Sequence, residues 1–117
     1  MLALLDGGLR AALTMRTMTP GELVYQDPDA QLVYQFDWST WLGAGITIAT
    51  STFVITGPDD VLQYDAAQVL AGGQQTTLRL LSGTLGATYV VTNRVVSNGT
   101  PAQTDDQSFR VQIVAAD

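Results

Sequence analysis

The stretch that decides the fold is residues 32–38, which read Leu-Val-Tyr-Gln-Phe-Asp-Trp. Large apolar side chains occupy every second position of this stretch, at Leu32, Tyr34, Phe36 and Trp38. Because successive side chains of a β-strand point to opposite faces, this spacing predicts a strand with one face in a core.

Further strands are predicted along the rest of the chain, at 46–56, 61–65, 75–81, 87–96 and 107–115. Turn signals separate them, including Gly72-Gly73 and Asn98-Gly99, and the second pair predicts a type I′ hairpin. Short strands with a turn about every dozen residues are typical of an immunoglobulin-like sandwich. We therefore expect an all-β immunoglobulin-like β-sandwich of about seven strands over residues 23–117. Its predicted core consists of Leu32, Tyr34, Phe36, Trp38, Ile46, Ile48, Phe53, Leu78, Leu80, Tyr89, Val91 and Val111.

Residues 86–91 resemble a tyrosine corner, in which a Tyr near the start of a strand bonds its hydroxyl back to nearby backbone. Tyr89 is the tyrosine of this motif, and Val91 stands where an antibody domain would carry its second Cys. The motif supports the sandwich prediction.

Residues 1–22 differ from the predicted sandwich in their sequence pattern. They are rich in apolar side chains, but these do not alternate with polar ones as in a strand. We expect an N-terminal interaction arm, since apolar surface left in water usually marks an interface. The alternative is that the segment folds back as an edge strand of its own domain. The expected partner-binding residues are Leu2, Leu4, Leu5, Leu9, Leu13, Met15 and Met18 of this arm, together with Trp41.

The composition argues against an enzyme. The chain has no Cys and no His, and its five basic residues are all Arg. These absences remove the imidazole base, the Schiff-base amine, the thiolate nucleophile and the zinc cluster. We therefore expect no catalytic residues, no cofactor and no metal.

Three acidic pairs could either ligate calcium or cap turns: Asp27 with Asp29, Asp59 with Asp60, and Asp105 with Asp106. None has the spacing of a calcium loop, so turn capping is the favoured interpretation. Asp106 is also expected to pair with Arg94 or Arg110. Asp37 could be a glycosidase carboxylate with a partner such as Asp65. The favoured interpretation is that Asp37 is an ordinary strand residue that faces outward.

The formal net charge of −6 argues against nucleic acid and anionic membranes as partners. The first residues lack the basic region of a signal peptide, and no apolar run approaches a membrane span. These features predict a protein made in the cytoplasm that binds neither nucleic acid nor membrane.

Four segments in order resemble a known family over residues 27–113. They are Asp-Trp-Ser-x-Trp-Leu at 37–42, Ile-Ala-Thr-Ser-Thr at 48–52, the run Ser-Gly-Thr-Leu-Gly-Ala-Thr-Tyr-Val-Val-Thr-Asn-Arg at 82–94, and Thr-Asp-Asp-x-Ser-Phe at 104–109. The chain resembles the short immunoglobulin-like proteins of tailed phages called fiber-tail adaptor proteins.

This resemblance implies a non-enzymatic structural protein of a phage virion. It would assemble with other copies of itself and with tail, baseplate or fibre proteins. One alternative is a capsid decoration protein, because a small acidic β-domain can equally bridge capsomers. Another is a carbohydrate-binding host-recognition module that uses Trp41 and nearby tyrosines.

Overall fold

The structure is a computed structural model that describes residues 15–115. These residues form two four-stranded sheets, ordered β1-β3-β6-β5 and β2-β8-β7-β4, and one short helix. The predicted all-β sandwich is confirmed. In chain order the elements are β1 (Met15–Met18), β2 (Leu23–Gln26), β3 (Gln31–Asp37), α1 (Ser39–Leu42), β4 (Ile48–Thr56), β5 (Leu62–Val69), β6 (Gln75–Ser82), β7 (Thr88–Ser97) and β8 (Thr104–Ile113).

The core lies between the two sheets and follows the predicted alternation of β3. Phe36 is 1% exposed, and its ring centroid lies 5.5 Å from that of Phe109 on β8 and 5.9 Å from that of Phe53 on β4. Aromatic side chains therefore fill the centre of the sandwich and join strands of opposite sheets. The predicted core positions found buried are Tyr34, Phe36, Trp38, Ile48, Phe53, Leu78, Leu80, Tyr89, Val91 and Val111.

Of the two remaining predicted core positions, Leu32 is wrong, and Ile46 is met in part because it packs against the core while only partly buried. Leu32 is 39% exposed although its register partner Leu80 is fully buried. Leu32 is the second residue of β3 and lies near the end of that strand, whereas the buried Gln26 amide donates to the backbone oxygen of Leu80 at 2.9 Å. Ile46 is half-buried because it precedes β4, which begins at Ile48.

Two buried amide side chains connect the sheets. Gln26 on β2 donates to the backbone oxygen of Leu80 and accepts from the Tyr34 hydroxyl at 2.8 Å. Asn93 on β7 accepts from the Trp38 indole N–H at 2.8 Å and from the Thr76 hydroxyl at 2.7 Å. Burial raises the pKa of Tyr34 to about 12, so its hydroxyl remains a donor at any physiological pH.

The Tyr89 hydroxyl makes the predicted bond to upstream backbone. It accepts from the Thr84 N–H at 3.0 Å and donates to the Asp59 carboxylate at 2.5 Å. Gly57 lies against the Tyr89 ring, and a Cβ there would collide with it. The tyrosine therefore fastens the β4–β5 turn to the start of β7.

The predicted type I′ hairpin at Asn98-Gly99 is wrong. That turn requires positive φ at both central residues, and neither residue has it. The connection from β7 to β8 instead runs over residues 98–103, closed by the Ser97 N–H donating to the Gln103 carbonyl at 2.8 Å. The Asn98 side chain accepts from the Thr47 N–H at 3.0 Å, which draws this loop toward the start of β4.

Candidate partner-binding surfaces

The described part of the predicted arm belongs to the sandwich. Strand β1 pairs in parallel with β3, and Met18 is only 4% exposed beside its register partner Phe36. Met18 therefore packs within its own domain, and its predicted place on a partner surface is wrong. Met15 is 36% exposed and remains available. The other predicted arm residues, Leu2, Leu4, Leu5, Leu9 and Leu13, lie outside the described residues.

The turn between β1 and β2 is fixed at both ends. Arg16 forms an ion pair with Glu22, which also accepts from the Thr19 N–H at 3.0 Å. These contacts, led by the Thr19 hydrogen bond, hold the pKa of Glu22 below its usual value. Gly21 donates its N–H to the Ser108 carbonyl at 2.7 Å, which ties the turn to β8. Residues 15–26 thus cross from the edge of one sheet to the edge of the other.

Trp38 and Trp41 lie at the corner after β3, where the short helix α1 follows the strand. The Asp37 carboxylate accepts from the Ser39 N–H at 2.9 Å and so satisfies a free donor at the helix start. Trp38 is 1% exposed, and Trp41 packs edge-on against it with ring centroids 5.4 Å apart. Trp41 is half-buried, so part of its ring stays accessible to a partner.

A groove of about 250 Å³ opens beside Trp41. Trp41, Ile46 and Pro101 give it apolar walls, while Ser97 and Gln103 add polar groups. The full lining is Trp41, Leu42, Ile46, Ser97, Gly99, Thr100, Pro101 and Gln103. A groove with this lining is suited to one apolar side chain of a partner, because a few polar groups surround an apolar floor. It brings Trp41 together with residues that the sequence analysis did not connect with it.

The acidic residues serve the fold. Asp27 accepts from the Asp29 N–H at 2.6 Å, which is an Asx turn, and Asp106 pairs with Arg94 at 2.8 Å, as one of the two predicted partners. Among residues 15–115 no cluster of acidic side chains is arranged to hold a metal ion. The expectation of turn-capping carboxylates is met at Asp27 and Asp59.

Asp37 and Asp65 lack the environment of a glycosidase pair. The Ser39 N–H and hydroxyl are the main cause that lowers the pKa of Asp37. The Arg79 guanidinium, which binds Asp65 through two hydrogen bonds of 2.7 and 2.6 Å, lowers the pKa of that carboxyl. A general acid needs a raised pKa, so both shifts run in the opposite direction.

Acid is expected to destabilise the protein through these carboxylates. The hydrogen bond from the Tyr89 hydroxyl, followed by those from the Thr84 hydroxyl and the Val61 N–H, lowers the pKa of the Asp59 carboxyl below its usual value. A carboxyl with a lowered folded-state pKa stabilises the fold above the unfolded-state value, and this contribution is lost as the pH falls through the folded-state value. The free energy of unfolding should therefore be flat from pH 7 to about pH 5 and decline below about pH 4.

Urea unfolding at a series of pH values measures this decline. Asp59→Asn should make it shallower, because the amide cannot titrate. Asp60→Asn is the matched control, since the Asp60 side chain makes no hydrogen bond within residues 15–115. Equal slopes for the wild type and the Asp59→Asn variant would contradict the assigned role of Asp59.

Sequence reasoning finds only Trp41 of the groove, and it also misses the two buried amides that support the fold. Asn93 continues the inward phase of Tyr89 and Val91 on β7, so its position on the core face was readable from the alternation. Its donors to β4, which reach the Ser51 hydroxyl at 2.9 Å and the Thr52 carbonyl at 3.0 Å, carried no sequence signal.

The only helix among the described residues, α1, is not one that could cross a membrane.

Comparison with solved structures agrees with the fold. The cysteine protease inhibitor EhICP2 from Entamoeba histolytica superposes with a TM-score of 0.51 over 85% of this chain and 92% of the inhibitor, at 11% sequence identity. At that identity the likeness concerns the fold alone. No curated protein sequence matches the chain. The family model described as the podophage GP4 fiber-tail adaptor protein gp77 matches residues 26–112.

Proposed function

The chain belongs to the family of the podophage GP4 fiber-tail adaptor protein gp77, and we propose that it joins fibre and tail proteins in a tailed-phage virion without catalysing a reaction. The observation that carries this proposal is the extent of the family match. Residues 26–112 take in β3 to β7 and nearly all of β8, so the match includes most of the sandwich.

The family motifs support a structural role because they meet inside the fold. Trp38, from the 37–42 motif, donates to Asn93, from the 82–94 motif, and Asn93 donates to Ser51, from the 48–52 motif. Three of the four motifs are therefore joined by one buried amide. Residues used in this way hold a scaffold in shape and leave its surfaces to do the binding.

Two surfaces are offered to partners in this proposal. The first is the groove beside Trp41, which suits an apolar side chain of a neighbouring virion protein. The second is the arm, redefined as residues 1–14 and extended by the exposed Met15. Charged residues make up only 14% of the chain, and a surface poor in charge suits a protein that is largely covered by neighbours. Other copies of the chain are among those neighbours, whereas nucleic acid and membrane are not.

Purified virions test the proposal. Mass spectrometry should find the protein in the particles, and cryo-electron microscopy should place a small ring of copies at the tail. Hundreds of copies distributed over the shell would favour the capsid decoration alternative and contradict the adaptor role.

The Trp41→Ser variant examines the groove in the same particles. We expect a folded protein whose incorporation falls at least about tenfold, because a partly buried Trp is a typical anchor of an interface. Leu85→Ser is the matched control, since Leu85 is 60% exposed and does not line the groove. Equal incorporation of both variants would remove the groove from the proposed contacts.

A further inference from the structure

Strand β4 is an edge strand that is unprotected along most of its length. It pairs with β7 on one side, and no strand within residues 15–115 pairs with its other side. Its sequence from Ile48 to Thr56 has no charged residue and no Pro. Its register with β7 shifts once, between Ile48 and Thr50 at the start of the strand, and is regular from Thr50 to Thr56. Natural proteins usually interrupt such an edge with charge, Pro or a bulge, because exposed backbone N–H and C=O groups otherwise recruit another strand.

The remaining edges are protected or short. Strand β5 has a bulge between Asp65 and Gln68, with Ala66 at a φ of 53°, and its Asp65 is paired with Arg79. Strands β1 and β2 each have four residues. Of the four sheet edges, β4 is therefore the one best able to accept a further strand.

Apolar surface lies next to this edge, in the space where β4 passes β5. We call this space the lateral seam and define it by Ser51, Phe53 and Ile55 of β4 with Tyr64 and Val69 of β5. It contains one hollow of about 220 Å³ near Val69 and another of about 320 Å³ near Tyr64. Tyr64 is 41% exposed although its ring packs against Phe53 at 5.7 Å, and Val69 is 39% exposed.

We propose that residues 1–14 of one copy add as a strand to β4 of a second copy, with their leucines in the lateral seam. This inference rests on the proposed structural role and names the partner of the arm. Strand addition obtains affinity from backbone hydrogen bonds and specificity from alternate side chains in pockets, and the edge and the seam offer both.

The composition and length of residues 1–14 fit this site. Their charged side chains are Asp6 and Arg10, so they match an uncharged edge, and their large apolar residues are Leu2, Leu4, Leu5, Leu9 and Leu13 with the initial Met1. Fourteen extended residues span up to about 48 Å, whereas the nine residues of β4 need about 30 Å. The segment is long enough to cover β4 and to bridge the gap between two copies.

The position of residue 15, where the segment joins the sandwich, favours pairing with β4 of a second copy over pairing with β4 of the same copy. Residue 15 opens β1, which lies at the opposite edge of its sheet from β5 and hence from the lateral seam. A neighbour placed beside β1 would meet the segment directly. Contacts of this kind join two different surfaces head to tail, and they generate rings when the rotation closes.

Cross-linking of the full chain tests the pairing. Because the chain has no Cys, each introduced Cys is the only thiol that the cross-linker can react with in that protein. Leu4→Cys protein is mixed with Val54→Cys protein, a bismaleimide is added, and peptide mass spectrometry identifies the joined pair. Val54 is 55% exposed on β4, so a cross-linked heterodimer is expected. Tyr25→Cys on β2, with Tyr25 60% exposed, is the control acceptor and should give little product. Equal products from β4 and β2 would overturn the proposal.

Sedimentation of the purified chain gives an independent measure. Val54→Lys should weaken self-association at least about tenfold, because a lysine on an edge strand opposes strand addition. Gln112→Lys is the matched control, since Gln112 lies on β8 where that strand is paired on both sides, with Tyr25 of β2 and Thr88 of β7. A wild-type chain that stays monomeric, unchanged association of the Val54→Lys protein, or cross-links within single copies of a Leu4→Cys, Val54→Cys protein would each overturn the proposal. The adaptor role would fail separately, by absence of the protein from virions.

Discussion

Replacing Trp38 with alanine is expected to lower the free energy of unfolding by roughly 3–5 kcal/mol, which is most of the stability of a small domain. The indole is 1% exposed, packs against Trp41, and donates to the buried Asn93 oxygen at 2.8 Å. The alanine variant loses the transfer free energy of the ring and leaves a cavity. It also takes one of the two hydroxyl or N–H donors away from the Asn93 oxygen.

Denaturant unfolding followed by circular dichroism measures this loss. Trp41→Ala is the matched control, because Trp41 is half-buried and makes no side-chain hydrogen bond among the described residues, so it should cost clearly less. Trp38→Phe separates the two contributions, since it keeps most of the ring and removes the donor; it should lie between wild type and Trp38→Ala. A Trp38→Ala protein that unfolds at the wild-type midpoint would refute the inward phase of β3.

The inward phase of β3 and β7 could be predicted because it depends on local alternation. Tyr34, Phe36 and Trp38 are buried as their spacing indicates, and Tyr89 bonds to upstream backbone as its motif indicates. Helix α1 could not be predicted in the same way. It depends on Asp37 bonding the Ser39 N–H, and an Asp two residues before a Ser is equally common in simple turns.

Features that arise from pairing distant segments were beyond the sequence. Strand β1 pairs in parallel with β3 and buries Met18. Because β1 has only four residues, and only one of them is buried, its sequence shows no alternating pattern that could have predicted the strand. The type I′ prediction at Asn98-Gly99 failed because the Asn98 side chain bonds Thr47, 51 residues away in the chain. The open edge of β4 is a consequence of the strand order in the sheet. It could not be predicted, because the sequence of residues 48–56 is compatible with both an edge strand and an interior strand.

The arm and β1 have separable roles, and two truncated proteins should show it. A protein that starts at Met15 keeps every described strand and should unfold like the full chain, yet fail to self-associate. A protein that starts at Glu22 also loses β1 and the buried Met18, together with the Arg16 partner of Glu22. We expect it to lose about 2–5 kcal/mol of unfolding free energy, the range for removing a large buried side chain.

Thermal and urea unfolding of the three lengths measures the difference, and sedimentation measures their association. Met18→Ala in the full chain should reproduce much of the stability loss, whereas Met15→Ala should reproduce little, because Met15 is 36% exposed and Met18 only 4%. If the protein starting at Glu22 unfolds at the full-length midpoint, β1 contributes nothing to the sandwich and the arm extends to residue 21. If the protein starting at Met15 is already destabilised, residues 1–14 pack on their own domain, and their assignment to a neighbouring copy has to be abandoned.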